Sequence, residues 1–387
     1  MKKKLLWKIL MWTCTHLFIA GVAIYLTMTI LVPQRSDKLA YLEDLILTEF
    51  VGDVDKTTLE DAAAAAMIEA TGDRWSYYIP ADQYQDLVNS HENGGYVGVG
   101  ITISQTDAGV QIVSLVEDGP AAEAGVEPDD IIVAVDGTDV TGMTTDEVAD
   151  LVGGEENTKF KLTVLRGNEK LDFTLTRRVI ETVVAKGEML DNHIGLVTIY
   201  NFNEKCASET IAAVDALVEL GAKGLIFDVR NNPGGSVNEL VQVLDHLLPE
   251  GEIFHSQDKD GTEEFEQSDA ECIDLPMAVL VNGDSYSAAE FFAAALSEYE
   301  WATVVGEHTV GKSYYQYTYQ LPDGSAVALS SGRYYTPKGV SLADVGGLEP
   351  DIPLELTAEQ RKLLSYGRLD PSEDPQIQAA IESLDLS

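Results

Sequence analysis

The order of apolar and polar residues divides the chain into segments of different periodicity. A run of 24 residues from Ile9 to Val32 contains no Asp, Glu, Lys or Arg. Residues 36–93 then show helical spacing, most clearly in TTLEDAAAAAMIEATGD, where a threonine supplies the cap signal and Gly72 the end. These segments predict a helix long enough to span a ~30 Å hydrocarbon layer, followed by a helical lead-in.

From 94 to 178 the period falls to two residues. GGYVGVGITIS, GVQIVSLVEDG and KFKLTVLRG alternate apolar and polar positions and are broken by glycine turns, which is typical of half-buried strands. PAAEAGV and TTDEVADLVGG predict two helices between them. This segment is therefore predicted to form a small, separate β domain.

From 179 to 358 strands and helices alternate. GLIFDVRNN, MAVLVNG and ATVVGE are near-continuous apolar strands, whereas ASETIAAVDALVELGA, VNELVQVLDHLLP and SAAEFFAAALSEY have helical spacing. This alternation predicts an α/β layered core with buried parallel strands. Residues 359–387 are predicted to close the chain with a helix in DPQIQAAIESL.

The formal charge of −40 over 387 residues limits the partners of the folded part. It argues against nucleic acid and against docking on an anionic membrane. The apolar run, however, follows four lysines at positions 2, 3, 4 and 8, and such a flank stays in the cytoplasm. Residues 1–35 are predicted to be a cytoplasmic tail and transmembrane anchor in the cell membrane, with the rest of the chain outside. A signal peptide, whose apolar core is typically ~7–15 residues, is the alternative.

Cysteine and histidine do not indicate a metal or cofactor site. Cys206 and Cys272 are the only cysteines beyond the anchor, so one bridge between them stays open but no disulfide framework is possible. The histidines are scattered, and His91 begins HEN without the second histidine of a zinc-protease helix. We predict no metal and no cofactor.

Candidate chemistry lies in the turns after three predicted parallel strands, because functional groups gather at the carboxyl ends of such strands. VRNNPGGS, NGDSYSAAE and GEHTVGKSYYQ supply a diglycine, two serines and a lysine. No G-x-S-x-G elbow is present, so a serine with a lysine base is the remaining nucleophilic pair. Both members of this pair also have a non-catalytic interpretation. A serine before a helix is often an N-cap, and a lysine is usually an exposed surface residue.

The β domain resembles a PDZ domain in GYVGVG, in GPAAEAGVEPDDIIVAVDG and in the amphipathic helix around residues 147–152. In that family, backbone amides hold the terminal carboxylate of a peptide, which adds as a strand. The residues that match the carboxylate loop are Tyr96, Val97, Gly98 and Val99. Arg166 lies at the end of a predicted strand, near the point where the chain passes from the PDZ domain to the core. It is a candidate for a regulatory contact between the two, and the alternative is that it is an ordinary exposed arginine.

Together, the three turns resemble those of the C-terminal processing peptidases, PDZ-bearing serine proteases with a Ser/Lys dyad. The match covers nearly all the chain beyond the anchor and includes LIFDVRNNPGG, GEHTVGK, GLEPDIP and DPQIQAAI in order. The resemblance implies a crotonase-like peptidase core over 179–358 with an embedded PDZ domain over 94–178. It also implies a helical region over 36–93, one N-terminal transmembrane helix and a helical tail over 359–387.

The resemblance implies roles for individual residues. The serine turn of the family reads roughly S-A-S-A-S-E, which places the nucleophile at Ser287 of SYSAAE and leaves Ser285 as a cap or turn residue. Lys312, 25 residues later, matches the base, and Gln316 matches a glutamine that holds the lysine amine toward the serine.

An oxyanion hole is implied at Gly234 and Gly235, with the Ser287 N–H as a further donor. The serine turn departs from the family pattern at Tyr286 and Ala289, where smaller or hydroxyl side chains are usual. Tyr286 is therefore expected to reshape the rim of the pocket.

The implied function is that of a membrane-anchored serine endopeptidase working through an acyl-enzyme. Its expected substrates are exported or membrane proteins with free apolar C-termini, and a role in signal transduction and a homodimer are left open. A non-catalytic PDZ scaffold is the alternative, but a scaffold has no need to keep serine, lysine and diglycine together. An amidase with the same dyad is disfavoured, because the PDZ stretch implies a polypeptide ligand.

Overall fold

The structure, a computed structural model, describes Trp12, His16 and residues 38–93, 95–181 and 183–386. The chain divides into two compact units, residues 1–74 and 75–387. The predicted membrane anchor lies outside the described residues, apart from Trp12 and His16. Within the described ranges, no helix combines the length and the apolar character that crossing a bilayer requires.

Helices and strands follow one another along the described residues. The helices are α1 (Lys38–Glu49), α2 (Lys56–Glu69), α3 (Ala81–Asn93), α4 (Pro120–Glu123), α5 (Thr145–Val152), α6 (Cys206–Glu219), α7 (Val237–Leu247), α8 (Ala288–Glu298), α9 (Leu342–Val345), α10 (Ala358–Ser365) and α11 (Pro375–Ser383). The strands are β1 (Tyr77–Ile79), β2 (Gly95–Gly98), β3 (Ile101–Thr106), β4 (Gly109–Leu115), β5 (Ile131–Val135), β6 (Thr138–Asp139), β7 (Lys159–Arg166), β8 (Glu169–Thr176), β9 (Arg178–Glu181), β10 (Ala185–Leu190), β11 (Ile194–Ile199), β12 (Gly224–Asp228), β13 (Gly251–Asp258), β14 (Glu263–Ser268), β15 (Met277–Val281), β16 (Ala302–Gly306), β17 (Tyr314–Gln320), β18 (Ala326–Tyr335) and β19 (Ile352–Pro353).

The described part of the first unit consists of α1 and α2. The alanine-rich α2 begins two residues earlier than a cap at Thr57 predicts, because the Asp55 carboxylate accepts the Thr58 N–H at 2.9 Å and acts as the cap. The helix ends at Glu69, and Gly72 follows with a φ of 72°.

The predicted β domain forms an antiparallel sheet in the order β3-β4-β5-β7-β8, with β6 paired to β5. Along β7, buried Phe160, Leu162 and Val164 alternate with exposed lysines, as the period of two predicts. Helix α5 packs against β3 at the edge of the sheet. Strand β2 pairs with β9 in a separate ribbon.

The core of the second unit is a sheet in the order β10-β11-β12-β15-β16-β19, called the central sheet from here on. The neighbours from β11 to β19 run parallel, and β10 pairs antiparallel at one edge. Every residue of β12 and β15 is buried, which is why these segments are unbroken apolar runs. The predicted α/β class with buried parallel strands is confirmed.

Helices cover both faces of the central sheet. On one face, α6, α7 and α8 share a cluster of buried side chains in which the rings of Phe227 and Phe292 lie 5.3 Å apart. On the other face, Ile226 shares a cluster with Ile377 of α11. The side chains of successive residues of β12 thus pack on opposite faces of the central sheet, as the pleat of a strand requires.

A second, antiparallel sheet lies beside the core, and the hydrophobic pattern did not predict it. Its order is β1-β18-β13-β14, with β17 also paired to β18. Its strands are rich in polar and tyrosine residues, and much of β14 and β17 is exposed. Strand β17 begins two residues after Lys312, so this sheet fixes the chain that leaves the lysine turn.

The C-terminal tail contacts both the core and the β domain. Helix α11 packs on the central sheet. Before it, Arg368 makes a bidentate ion pair with Asp129 of the β domain, at 2.8 and 3.1 Å. Tyr366 adds a contact to Ser104 of β3 at 3.4 Å.

Candidate active site

The three predicted turns meet at the carboxyl edge of the central sheet. They follow β12, β15 and β16, which are neighbours in the parallel order. The Tyr286 N–H donates to Asn232 O at 3.1 Å, and the Val310 N–H donates to Ser285 O at 3.3 Å. The diglycine, serine and lysine turns are therefore in direct contact.

Ser287 has a backbone conformation that L-residues rarely adopt. Its φ is 59° and its ψ is −127°, and such a conformation costs about 1–3 kcal/mol where the surroundings enforce it. The Glu290 N–H donates to the Ser287 carbonyl oxygen at 2.9 Å, and the Glu290 side chain accepts the Ser287 N–H at 2.9 Å. Glu290 therefore holds the strained backbone of Ser287 at the start of α8.

Ser285, the other serine of the turn, has a structural position. It is fully buried. Its Oγ donates to Val229 O at 2.8 Å and accepts the Asn282 N–H at 3.0 Å. Ser285 therefore joins the ends of β12 and β15, which agrees with its prediction as a turn residue.

The diglycine lets the turn after β12 approach Ser287. Gly234 and Gly235 have φ values of 88° and 152°, which favour glycine. A Cβ on Gly234 would lie 2.8 Å from Ala288 N, and one on Gly235 would lie 2.4 Å from the carbonyl carbon of Phe202. Any side chain at either position would push the two turns apart.

The predicted oxyanion donors need correction. The Gly234 N–H donates to Asn232 Oδ1 at 2.8 Å, and the Ser287 N–H donates to Glu290 Oε2 at 2.9 Å. Both N–H groups are therefore engaged within the protein. The Gly235 N–H points away from Phe202, because the Gly234 carbonyl and the Ser236 N–H on either side both bond to Phe202.

The first N–H of α8 is the remaining donor beside Ser287. No acceptor among the described residues takes the Ala288 N–H, as is usual for the first turn of a helix. It lies next to the Gly234 backbone. The N–H groups of Ala288 and Gly235 are thus the pair that the structure leaves for an oxyanion.

Glu290 joins the serine turn to the lysine turn, a role that sequence reasoning missed. Its side chain is fully buried. Oε1 accepts Thr309 Oγ1 at 2.5 Å and the Gly311 N–H at 2.6 Å, while Oε2 accepts the N–H groups of Ser287 and Lys312 at 2.9 and 2.8 Å. One carboxylate therefore binds the backbone of both candidate catalytic residues. Its S-x-x-E spacing, typical of a capping box, was the available signal.

Lys312 lies in the turn after β16, half-buried beside two aromatic rings. Its Nζ is 4.9 Å from the ring centroid of Trp75 and 5.8 Å from that of Tyr286. The two rings stack with centroids 5.9 Å apart and planes inclined by 27°.

Gln316 lies on β17, four residues beyond Lys312. The chain between them is not one uninterrupted strand, because β17 begins only at Tyr314. The register of β17 against β18 also shifts next to Gln316. The Gln316 Nε2 is buried and finds no acceptor among the described residues. That Gln316 orients Lys312 stays a prediction.

A small apolar pocket opens beside Ser287. Ser287, Ala288 and Gly235 form its polar edge, and the remaining wall consists of Val237, Leu240, Phe254, Phe291 and Tyr334. Burial raises the pKa of Tyr334, so the phenol stays neutral across the physiological range. The pocket offers a substrate side chain an uncharged surface next to the hydroxyl.

The four residues predicted to bind a carboxylate do not all lie in one element. Tyr96, Val97 and Gly98 lie in β2, which pairs with β9. Val99 lies between β2 and β3, and its carbonyl oxygen accepts the Ala121 N–H at 3.0 Å. Of the four residues, only Val99 therefore lies outside the ribbon of β2 and β9.

Arg166 is engaged inside the β domain, contrary to its predicted contact with the core. Nε and one terminal nitrogen bind the buried Asp130 carboxylate at 2.7 and 2.8 Å. The other contacts are Gly125 O at 2.9 Å and Glu127 Oε1 at 2.7 Å. The hydrogen bond to Asp130 raises the pKa of Arg166, and the side chain braces the loop after α4.

A buried ion cluster supports the end of β12. Arg230 donates to the Asp228 carboxylate at 2.6 and 2.9 Å, to Asp374 at 2.7 Å and to Gln376 at 2.8 Å. Burial opposes the charge, but the two carboxylates outweigh it and raise the pKa of Arg230. The cluster fixes α11 against the strand that precedes the diglycine turn.

The cysteines do not contribute to this site. Cys206 and Cys272 are free thiols, so the bridge left open by the sequence is not formed. Burial raises the pKa of Cys206 to about 12. Among the described residues, no group of metal-ligating side chains is arranged to hold an ion.

Known protein families match this arrangement. Residues 193–354 match peptidase family S41, and residues 111–166 match PDZ domains. Carboxy-terminal processing protease CtpA of Bacillus subtilis is 33% identical over 326 residues, which cover 84% of this chain and 70% of that protein. Carboxyl-terminal-processing protease of Synechocystis is 32% identical over 331 residues, which cover 83% of this chain and 76% of that protein.

A solved structure is similar as well. The photosystem II D1 C-terminal processing protease aligns with a TM-score of 0.51 and 26% sequence identity. The alignment covers 87% of this chain and 92% of the other.

Proposed function

The chain belongs to the S41 family of carboxy-terminal processing serine proteases, and on that premise we propose that it cleaves polypeptides with Ser287 as nucleophile and Lys312 as general base. One observation carries the proposal. The buried carboxylate of Glu290 binds the backbone N–H of both residues, at 2.9 and 2.8 Å. The two turns are thus held at one point, as a nucleophile and its base require.

In the proposed acylation step, the neutral amine of Lys312 accepts the hydroxyl proton as Ser287 Oγ attacks the scissile carbonyl carbon. The resulting ammonium then gives a proton to the departing amine. Water repeats the sequence on the acyl-enzyme, with the amine as base, and releases the acid. The chain is proposed to need no metal or cofactor for these steps.

The N–H groups of Ala288 and Gly235 are proposed to bind the oxyanion of each tetrahedral intermediate. Two donors that are already fixed in place stabilise the developing charge without reorganisation. Since α8 begins at Ala288, the positive end of the helix dipole adds to this effect.

A non-catalytic scaffold is the alternative function. The conformation of Ser287 disfavours it, because strained residues of this kind persist mainly where function uses them.

The apolar pocket beside Ser287 is proposed to hold the substrate side chain that precedes the cut. Leu240, Phe254 and Phe291 are each at most 3% exposed, so a charged side chain there would lose its hydration without a partner. The small size of the pocket favours small apolar side chains.

The PDZ domain is proposed to present substrate tails by their C-termini. An extended tail would add along β3, beside α5, with its carboxylate at the N–H groups near Gly98 and Val99. The ion pair of Arg368 with Asp129 ties this domain to the C-terminal segment, so the groove has a defined position relative to the core.

An assay on unfolded polypeptides tests this function. We expect the full-length protein to cleave a polypeptide ending in a free apolar residue severalfold faster than the same polypeptide with an amidated end, since amidation removes the carboxylate. Mass spectrometry of the products should show small apolar residues before the cut. The Ser287→Ala variant is the control for contaminating proteases.

The possible outcomes separate the parts of the proposal. Equal cleavage of free and amidated tails would contradict carboxylate capture and leave the Ser287 chemistry intact. Charged residues before the cut would contradict the role of the pocket. Failure of the unaltered protein to cleave any unfolded polypeptide would contradict the endopeptidase itself.

Residues 1–35 are proposed to anchor the chain in the cell membrane with its catalytic part outside. The uncharged run from Ile9 to Val32 and the lysines before it support this proposal. We expect the full-length protein to stay in the membrane pellet after an alkaline carbonate wash. Its release into the supernatant would contradict an integral anchor.

A further inference from the structure

Two aromatic side chains from distant parts of the sequence meet over the candidate base. Trp75 comes just before β1, and Tyr286 comes just before Ser287. Their rings stack with centroids 5.9 Å apart. The Lys312 Nζ lies 4.9 Å from the Trp75 centroid and 5.8 Å from the Tyr286 centroid, both within the ~6 Å over which a cation is attracted to a ring face.

Backbone contacts hold each ring in place. After Trp75, the Ser76 Oγ accepts the Ser330 N–H at 3.0 Å, and β1 pairs with β18. Next to Ser287, the Tyr286 N–H donates to Asn232 O at 3.1 Å. The aromatic pair is therefore part of the framework around the site and not a loose surface contact.

The chemistry of the contact favours one form of the lysine. An aromatic face attracts an ammonium through its quadrupole and has no such attraction for a neutral amine. A general base, however, must be neutral and must reach the Ser287 hydroxyl. The pair thus stabilises Lys312 in a charged placement on the rings.

We propose that Trp75 and Tyr286 form an aromatic clamp that favours the ammonium form of Lys312 and so slows attack by Ser287. The proposal rests on the Ser287 and Lys312 chemistry proposed above. Tyr286 stands where the family pattern has a smaller residue, so the clamp is a property of this chain.

A fluorophosphonate probe measures this effect without a known substrate. Ser287 Oγ attacks phosphorus, a P–O bond forms, the P–F bond breaks, fluoride leaves and the Lys312 amine takes the hydroxyl proton. We expect Trp75→Leu, which keeps an apolar side chain but removes the ring, to raise the first-order inactivation rate at saturating probe about two- to tenfold. The probe concentration for half-saturation should stay the same, because the clamp acts on the base and not on probe binding.

Matched variants separate a clamp from general packing. Trp75→Phe keeps an aromatic face that attracts cations more weakly, so its rate should fall between the unaltered protein and Trp75→Leu. Tyr77→Leu removes an exposed aromatic side chain two residues after Trp75, in β1, and should leave the rate unchanged. If Trp75→Leu does not fold, Tyr286→Leu supplies the same test from the other ring.

A rate that is unchanged or lower in folded Trp75→Leu and Tyr286→Leu would overturn the clamp. Equal rates for Trp75→Phe and Trp75→Leu would overturn the role of the aromatic face. Labelling of Ser287→Ala at the rate of the unaltered protein would instead contradict the proposed function, so the two failures are distinguishable.

Discussion

Replacing Lys312 by alanine is expected to lower the rate of peptide hydrolysis at least about 10³-fold while the chain stays folded. A serine hydroxyl is a weak nucleophile unless a neighbour removes its proton. The side-chain amine of Lys312 can take up this proton. The backbone N–H of Lys312 donates to the Glu290 carboxylate at 2.8 Å, which fixes the position of the lysine turn. Lys312→Arg should be equally inactive, because a guanidinium stays protonated.

Lys338→Ala is the matched control for this loss. Lys338 is exposed and lies beyond β18, away from the three turns. Its removal changes the net charge by the same amount and should leave the rate unchanged. A Lys312→Ala protein that is folded by circular dichroism and keeps more than about a tenth of the rate would contradict a general-base role.

Replacing Glu290 by glutamine is expected to cost both stability and activity. The carboxylate accepts four hydrogen bonds, whereas a glutamine amide turns one acceptor into a donor that faces other donors. We expect the free energy of unfolding to fall by about 2–4 kcal/mol. We also expect hydrolysis to slow at least about 10²-fold, since small displacements of catalytic groups have effects of that size.

Glu298→Gln controls for the loss of a carboxylate on α8. Glu298 lies at the other end of the helix and accepts bonds from Thr336 Oγ1 and the Lys338 N–H at 2.6 and 2.7 Å. Its substitution should cost stability with little loss of rate per folded molecule. If Glu290→Gln unfolds at the same denaturant concentration as the unaltered chain and hydrolyses peptide equally fast, Glu290 does not align the two turns.

The fold of the core could be predicted because its signals are local. Strands β12 and β15 are buried at every position, so they appear in the sequence as apolar runs. The segments between these strands have apolar residues at helical spacing, and strands that alternate with helices indicate the α/β class. The positions of the three turns then follow from the rule that parallel strands end at one edge.

The second sheet escaped prediction because its strands are not apolar on one face. In β17, YYQYTYQ is half exposed and carries tyrosine and glutamine, and β14 is largely acidic and exposed. Such strands are stabilised by their neighbours in the sheet, β18 for β17 and β13 for β14. β18 itself lies far along the chain from its other partners, β1 and β13. A period of two alone does not reveal these partners.

The details of the site depended on hydrogen bonds that a sequence does not show. The N–H groups of Gly234 and Ser287 were assigned to an oxyanion, yet Asn232 and Glu290 accept them. The contact of Trp75 with Lys312 joins residues more than two hundred positions apart. Residue types and spacing therefore indicated which turns matter, but not which donor is open.

The position of a fluorophosphonate adduct identifies the nucleophile. The protein is incubated with the probe and digested, and the modified peptide is sequenced by mass spectrometry. We expect a single adduct on Ser287, retained in Ser285→Ala and absent from Ser287→Ala and Lys312→Ala. An adduct on Ser285, or labelling that survives in Ser287→Ala, would contradict this assignment.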